Sequence, residues 1–260
     1  MRKFIRYSFM DLVQSYWTIL YFLFFLVVTS AILYFSADLT KSIVSMMNIV
    51  LVLIPLVSIV FGAIYYYNSR EFTELLLAQP VRRRSLILGQ YTGLALSLSI
   101  SFGAGITIPF ILKGIFVSEH LTDFLLILIA GICMSFSMTA IAYATALKHE
   151  NKILGFGISL FIWFFLAVMY DGLFLILLIV FKAYPTDSLA ILLTFLNPID
   201  LSRVMIMLGL DIAALMGYTG ALFLKFFGSA TGILISIFSM LLWIVVPSMF
   251  MVRIAKRKDF

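Results

Sequence analysis

Two polar stretches stand out in a chain that is otherwise almost entirely apolar, and they hold the side chains that could do chemistry. The first is REFTELLLAQPVRRRS at residues 70–85, and the second is NPIDLSRV at residues 197–204. Their carboxylates, amides and guanidinium groups can form ion pairs, cap helices and bind a charged partner. The chain contains no HExxH, GxSxG or GxxxxGKS/T pattern and no pair of cysteines. We therefore predict sites of recognition and coupling, with no catalytic, cofactor-binding or metal-binding residues.

The composition predicts an all-α membrane protein. Of the 260 residues, 63% are hydrophobic and 12% are charged, and the mean hydropathy is +1.15. Soluble domains do not have such values. The net charge of +6 comes from basic residues near the ends of apolar runs, which indicates orientation in a bilayer and excludes nucleic-acid binding. A single cysteine, Cys133, excludes an intramolecular disulfide.

We expect one transmembrane domain that covers residues 1–260. Residues 1–15 have apolar side chains at helical spacing opposite basic ones, which predicts an amphipathic interfacial helix, with a frayed basic tail as the alternative. Six spans follow, at about residues 16–36, 43–67, 86–112, 124–147, 153–171 and 232–252.

The distribution of basic residues decides between six and seven spans. The segment 204–224 is apolar enough to cross a membrane, despite Asp211. With six spans and both termini inside, 13 of the 18 basic residues lie in the cytosol and five lie outside. This bias favours six spans. Residues 173–231 then form an outer region of short helices that re-enter the bilayer or lie on it.

The fifth apolar run is too long for one untilted span. It covers residues 153–181, which as a helix would measure about 43 Å, against a hydrocarbon core of about 30 Å. We end the span at Asp171, where a helix that rises from the cytosol reaches the outer headgroups. Asp171 is therefore expected at the interface, with a position facing a pore as the alternative.

The first polar stretch predicts a short cytosolic helix that can couple to a soluble partner. Phe72, Leu75 and Leu76 would form an apolar stripe, and the three arginines at 82–84 hold the stretch on the inner side. Pro80 ends the helix, and Ser85 could cap the next span. The alternative is an ordinary basic loop. The candidate coupling residues are Arg70, Glu71, Glu74, Gln79, Pro80 and Arg82.

The second polar stretch predicts the start of an outer helix. Asn197 can cap it, Pro198 suits its first position, and Asp200 is within pairing reach of Arg203. Small and polar residues then recur among apolar ones, which favours tight packing. We expect an outer docking or gating element that comprises Asn197, Pro198, Asp200, Arg203, Asp211, Gly217, Thr219 and Gly220.

Thirteen methionines invite a copper(I) interpretation, because thioethers bind soft metals. Several lie near the predicted outer side: Met46, Met47, Met205, Met207 and Met216. The alternative, that methionine fills gaps between helices, is the better supported of the two.

Two resemblances refine these predictions. The pattern E-x-x-x-x-L-L-x-Q-P-x-R at residues 71–82, with Gly89 soon after it and an outer region before the last span, resembles the permease subunit of ABC type-2 exporters. More narrowly, LNPIDLSRVMIMLGLDIAALMGYTGALF at residues 196–223 resembles the NosY family of permeases, which serve the maturation of nitrous oxide reductase.

The resemblance implies a homodimer in the bacterial inner membrane, with two copies of a separate ATPase docked on residues 70–80. It also implies a periplasmic β-helix protein and a copper chaperone as outer partners, membrane lipid around the chain, and assembly of a copper–sulfur centre as the process served. ATP hydrolysis would belong to the partner, so this chain is not expected to be an enzyme. Two alternatives are a scaffold that transports nothing and an intramembrane enzyme, although no acid pair or histidine cluster lies at matching depth in the spans.

Overall fold

The structure is a computed structural model that describes residues 9–10, 12, 15–36, 38–79, 81–181, 187–210 and 230–258. The predicted interfacial helix at residues 1–15 lies largely outside the described residues. Several candidate site residues also lie outside them: Pro80, Asp211, Gly217, Thr219 and Gly220.

Helices account for all the regular structure of the described ranges, which confirms the predicted all-α class. A 3₁₀ turn at Ile115–Val117 follows the fourth helix, and a π-helical turn at Phe165–Met169 follows the sixth. The helices are α1 Tyr16–Phe35, α2 Leu39–Asn68, α3 Arg70–Leu77, α4 Arg83–Leu112, α5 Leu121–Lys148, α6 Lys152–Phe164, α7 Tyr170–Val180, α8 Asp187–Phe195, α9 Pro198–Gly209 and α10 Ala230–Arg257.

Six helices in the described part of the chain are long and apolar enough to cross a membrane. They are α1, α2, α4, α5, the continuous helix Lys152–Val180, and α10. A shorter pair, α8 and α9, bends by 112° between its two helices, as a broken span or a re-entrant loop does. The prediction of an all-α membrane protein with six spanning helices is therefore confirmed, and the re-entrant character of α8 and α9 stays a prediction.

The helix of the fifth span does not end at residue 171, where we predict that the span reaches the outer headgroups. Helices α6 and α7 join through the π-helical turn, so the helix continues to Val180 through residues that we predict to begin the outer region. Asp171 lies within this continuous helix, and its carboxylate forms an ion pair with Arg203 of α9.

Helices α2 and α5 form the centre of the bundle, and α1, α4, α6 and α10 pack around them. Met46 and Met47 of α2 and Met134 and Met138 of α5 are buried there, with at most 1% of each exposed. The sulfur of Met46 accepts a weak hydrogen bond from Thr29 of α1 at 3.7 Å. These four methionines fill space between helices, in agreement with the packing interpretation.

The outer faces of the last two spans remain uncovered in a single chain. Helix α7 has no buried residue, and α6 buries Gly155 and Ser159 alone. Much of α10 is exposed as well, including Phe238, Met249 and Phe250. Apolar faces that the described residues leave open in this way are typical of contact with lipid or with another protein chain.

Candidate functional sites

Helix α3 is a short polar helix that follows α2 after one residue, Ser69. The Ser69 carbonyl accepts hydrogen bonds from both the backbone N–H and the hydroxyl of Thr73, at 2.9 and 2.8 Å. Within α3, Arg70 Nε donates to Glu74 Oε1 at 2.8 Å, the i,i+4 arrangement that supports a helix. The bond to Glu74 is the main cause that raises the pKa of Arg70. Two of the predicted coupling residues therefore stabilise α3 itself.

One buried hydrogen bond holds α3 against the next span. Thr73 is 1% exposed, and its hydroxyl accepts a hydrogen bond from Gln90 Nε2 of α4 at 2.9 Å. Gln90 is also buried, at 3%. Because α2 leads directly into α3, and Gln90 ties α3 to α4, a displacement of α3 must act on both spans.

The opposite face of α3 is exposed and partly apolar. Leu75 is 70% exposed and Phe72 is 43% exposed, and Glu71 and Gln79 are exposed beside them. The predicted apolar stripe thus points away from the bundle, because Thr73 occupies the inward position. An exposed leucine and phenylalanine framed by polar residues are typical of a docking surface. We call Glu71, Phe72, Leu75 and Gln79 the α3 face.

The basic residues after α3 lie at the start of α4. Arg82 is the N-cap residue of α4, with no hydrogen bond from its side chain to the helix end, and Ser85 lies inside the helix. The expectation that Ser85 caps this span is therefore wrong. Arg83 Nη1 donates to the carbonyl oxygen of Lys258 at 2.6 Å. The end of α10 is thereby joined to the start of α4.

Lys258 also contacts the ends of two further spans, α2 and α5. Its Nζ donates to the carbonyl of Leu147 in α5 at 2.9 Å and to the hydroxyl of Tyr66 in α2 at 3.4 Å. Burial lowers the pKa of Lys258, and the positive charge of Arg70 in α3 lowers it further. We call the contacts of Lys258 with Tyr66, Arg83 and Leu147 the tail clasp. The clasp lies close to α3, at one end of the bundle.

The second candidate site is an ion-pair cluster between α7 and α9. One nitrogen of Arg203, Nη1, lies 3.0 Å from Asp171 Oδ2 and 3.0 Å from Asp200 Oδ1. The side chain of Asp200 is 13% exposed, that of Arg203 is 29% exposed and that of Asp171 is 40% exposed. The predicted pairing of Asp200 with Arg203 is present. Its link to Asp171 was not foreseen, although Asp171 had been singled out separately.

Asn197 builds the start of α9 and connects it to the fifth span. Its Oδ1 accepts from the backbone N–H of Ile199 at 3.1 Å, as the capping prediction requires. Its Nδ2 donates to Asp200 Oδ2 at 3.0 Å and to the carbonyl of Leu166 at 2.8 Å. Leu166 lies in the π-helical turn, where helix hydrogen bonding is irregular. Asp171, Asn197, Asp200 and Arg203 form what we call the Arg203 cluster.

Two aromatic side chains donate hydrogen bonds to carbonyl groups at the end of α8. The sequence did not predict this role for either of them. The hydroxyl of Tyr170 donates to the carbonyl of Leu193 at 2.7 Å, and Trp243 Nε1 of α10 donates to the carbonyl of Phe195 at 3.0 Å. The last carbonyls of a helix have no partner within it, so these bonds allow α8 to end inside an apolar region. In the sequence, the position of Tyr170 next to Asp171 is the feature that could have indicated this role.

The space beside the Arg203 cluster is small. A cavity of about 230 Å³ is lined by Asp171, Asp200, Arg203 and apolar or hydroxyl residues such as Phe174 and Thr194. This volume is below the range of about 300–1,000 Å³ of small-molecule sites. Among the described residues no group of three His, Cys, Asp or Glu side chains could hold a metal ion. The cluster is thus arranged to join α7 to α9.

Comparisons with known proteins agree with the narrower resemblance. No family model matches the chain. A protein of Stutzerimonas stutzeri, named "Probable ABC transporter permease protein NosY", is 27% identical over 200 residues, which are 74% of this chain and 67% of that protein. A protein of the same name from Pseudomonas aeruginosa is 26% identical over 223 residues, 80% of this chain and 81% of that protein. The chain is similar to NosY permeases.

This similarity confirms the predicted resemblance to NosY permeases, at 26–27% identity. Both NosY proteins are named as ABC transporter permeases. The similarity therefore supports the interpretation of this chain as a multi-pass membrane permease subunit of an ABC system. In such a system the ATPase is a partner of the permease. The two NosY alignments each extend over about three quarters of the chain or more, which is far longer than the segment at residues 196–223.

Proposed function

We propose that this chain is the membrane subunit of an ATP-driven ABC complex and transmits movement from a cytosolic ATPase to the outer helices α8 and α9. The process served would be assembly of the copper site of nitrous oxide reductase. The observation that carries the proposal is the α3 face, an exposed apolar and polar surface on a helix joined to two spans, in a chain similar to NosY permeases.

The ATPase side of the proposal depends on how α3 is held. Thr73 and Gln90 link it to α4, and Ser69 continues it from α2. A partner that grips Leu75 and its neighbours would therefore move two spans together rather than bend a loose loop. Such coupling needs an element with two arrangements, and the junction of α2, α3 and α4 is our candidate.

The packing of α2 offers a route to the other side. Helix α2 contacts α3 after its last turn, and it also packs against α9, which begins at Pro198. Helix α5 contacts α2, α9 and α10. Movement of α2 relative to α5 would therefore change the position at which α9 packs against them. The Arg203 cluster would carry that change to the fifth span.

The remaining partners follow from the same proposal. A second copy of the chain would cover part of the uncovered faces of α7 and α10, and lipid would cover the rest. A periplasmic β-helix protein and a copper chaperone would dock near α8 and α9. The alternative function is a membrane scaffold that recruits the same partners without transmitting movement or transporting anything.

Co-purification with an ATP-binding subunit encoded beside the chain tests the proposal. The informative variant is Leu75→Arg, which places a charge on the α3 face. Its matched control is Val117→Arg, since Val117 is 94% exposed in the turn at the other end of α4. We expect Leu75→Arg to lose the ATPase subunit, while Val117→Arg retains it.

Glu71→Lys adds a second measurement on the same face. Glu71 is exposed, whereas Glu74 is bonded to Arg70, so exchanging Glu71 leaves the helix intact. In reconstituted complexes we expect Glu71→Lys to reduce stimulation of ATP hydrolysis without changing the amount of inserted protein. Unchanged co-purification and unchanged stimulation in both variants would contradict a docking role for α3. A complex that assembles normally but shows no link between ATP hydrolysis and enzyme maturation would favour the scaffold.

A further inference from the structure

A groove separate from both candidate sites opens between α4, α5 and α10. Its volume is about 520 Å³, within the range of about 300–1,000 Å³ that is usual for ligand sites. Its walls come from the first turns of α4, from Phe136 of α5 and from the second half of α10. None of its lining residues belongs to the α3 face or to the Arg203 cluster.

The middle of the groove is apolar. Leu88, Phe136, Val245 and Met249 line it. The hydroxyl of Tyr91 is already engaged, since it donates to the carbonyl of Phe136 at 3.2 Å and accepts from the Ser248 hydroxyl at 3.1 Å. These polar atoms satisfy one another within the wall. The groove therefore offers an occupant hydrocarbon contact along most of its length.

One end of the groove is strongly basic. Arg84 lies in the first turn of α4, and Arg253 and Lys256 lie near the end of α10, where the chain leaves the bundle. Among the described residues, none with an acidic side chain lines the groove. Within the described residues, none of these three cations takes part in an ion pair. Three positive charges without a matching carboxylate favour an anionic ligand.

The dimensions of the groove match one leaflet of a bilayer. Ile244 and Lys256 both line it, and the 12 residues that separate them along α10 correspond to about 18 Å. One leaflet contributes about half of a hydrocarbon core of about 30 Å. The basic end therefore lies at headgroup depth, and the apolar part lies beside acyl chains.

We propose that the groove binds an anionic phospholipid. The phosphate lies between Arg84, Arg253 and Lys256, and one acyl chain lies along Leu88, Val245 and Met249. A basic end alone would suit any phosphate, but the apolar walls require a ligand that carries hydrocarbon next to its charge. A zwitterionic lipid lacks the net negative charge that these three cations favour, since they form no ion pair with the described residues.

The test uses the purified full chain in detergent, mixed with equal amounts of phosphatidylglycerol and phosphatidylcholine and analysed by native mass spectrometry. We expect retained phosphatidylglycerol to exceed phosphatidylcholine by at least about tenfold. The triple variant Arg84→Gln, Arg253→Gln, Lys256→Gln should lose this preference. All three side chains are exposed at helix ends, so the variant should fold.

A matched control separates a built site from general surface charge. Arg82→Gln, Lys148→Gln and Arg257→Gln together remove three exposed cations from the same end of the bundle, and none of them lines the groove. This control should keep the preference. Equal losses in the two triple variants would overturn the proposal, since they would indicate an unspecific basic surface.

A second variant tests the hydrocarbon part. Val245→Trp fills the groove without changing any charge, and we expect it to reduce phosphatidylglycerol retention at least about tenfold. Full retention in Val245→Trp would overturn the proposal, because it would leave a phosphate site without an acyl-chain contact. Displacement of the lipid by inorganic phosphate would overturn it for the same reason. The same spectra report oligomeric state. A loss of dimer in these variants without a loss of lipid would assign the groove to a second copy of the chain instead.

Discussion

Thr73 and Gln90 are two buried polar side chains whose hydrogen bond seats α3 on α4. They are not equivalent. The hydroxyl of Thr73 also donates to the Ser69 carbonyl, whereas Gln90 Oε1 has no hydrogen-bond partner within the described residues. Among the described residues, Gln90 therefore has a buried polar atom without a compensating hydrogen bond.

This asymmetry predicts different costs for the two residues. Thr73→Val leaves Gln90 Nε2 buried without an acceptor and should cost about 1–2 kcal/mol of stability. Gln90→Leu removes the unsatisfied oxygen together with the bond, so its cost should be smaller, about 0–1 kcal/mol. The double variant should be more stable than Thr73→Val alone. Thermal unfolding of the detergent-solubilised chain measures the stability of the two single variants and the double variant. A double variant whose loss of stability equals the sum of the two single losses would contradict this account.

Arg203 is the residue on which the Arg203 cluster depends, because one guanidinium nitrogen serves two carboxylates. Arg203→Gln would leave the largely buried Asp200 without a cation. We expect a loss of about 1–3 kcal/mol, below the range for fully buried pairs because Arg203 is 29% exposed.

Asp171→Asn is the matched comparison. Asp171 is 40% exposed, so its pair with Arg203 contributes within about 1 kcal/mol, and Arg203 keeps Asp200 as a partner. Melting temperatures should therefore fall clearly for Arg203→Gln and little for Asp171→Asn. If the order is reversed, Asp171 rather than Asp200 is the buried member of the cluster in the membrane.

At the scale of helices, close approach of α1 and α4 depends on one small residue. A Cβ at Gly105 would lie 2.8 Å from the Cβ of Phe25 and 2.9 Å from the carbonyl oxygen of Phe22, both in α1. Two residues earlier in the same helix, a Cβ at Gly103 would have no atom within 4 Å. Phe25 is fully buried, so it has little room to move.

The two glycines therefore make a matched pair. Gly105→Ala should force α1 away from α4 and cost about 1–3 kcal/mol. Gly103→Ala should stabilise the helix by up to about 1 kcal/mol, because alanine is the better helix former. The two melting temperatures, measured in the same detergent, should shift in opposite directions. Equal shifts would show that α1 does not pack on α4 as closely as described.

Helices could be predicted from the sequence more reliably than their ends and faces. Long apolar runs suffice to find spans, because the bilayer sets their length. The ion pair of Asp171 could not be found this way, since its partner Arg203 lies 32 residues further along the chain. The outward face of α3 was hidden for the same reason. Its apolar stripe was visible, but the inward position of Thr73 depends on Gln90 in the next helix.

The candidate sites were predicted in part. Local features of α9 were readable, since the capping of Asn197 and the pairing of Asp200 with Arg203 act within one helical turn. The bond from Asn197 to Leu166, the closure by Tyr170 and the tail clasp were not readable. Each joins residues that are distant in sequence, and hydropathy carries no information about which helix meets which.

At the scale of the whole molecule, the two candidate sites lie at opposite ends of the bundle. Lys152 bonds Asn68 at the end of α2, next to α3. Asp171 follows 19 residues later in the same continuous helix, which corresponds to about 28 Å. This distance is close to the thickness of a hydrocarbon core, about 30 Å. A complex that joined partners on both sides of a membrane could use one site for each.

The tail clasp constrains the number of crossings. Lys258 contacts the ends of α2 and α5 near α3, so the end of α10 lies on the same side of the bundle as α3. An even number of crossings must therefore separate α3 from the end of α10. Helices α4, α5, α6–α7 and α10 supply four. If α8 and α9 formed one further full span, the clasp could not form without another crossing.

The distribution of basic residues then predicts which side faces the cytosol, and labelling of single cysteines tests it. In a background with Cys133→Ala, Leu75→Cys and Val117→Cys provide thiols at exposed positions, 70% and 94%, on opposite ends of the bundle. We expect an impermeant maleimide to label Val117→Cys in intact cells, and to label Leu75→Cys only in permeabilised cells. This orientation places 13 of the 18 basic residues inside.

A reporter fused after Phe260 should indicate the cytosol, the same side as Leu75. Labelling of Leu75→Cys in intact cells would reverse the orientation, and a reporter on the side opposite Leu75 would show that the tail clasp does not form in the membrane.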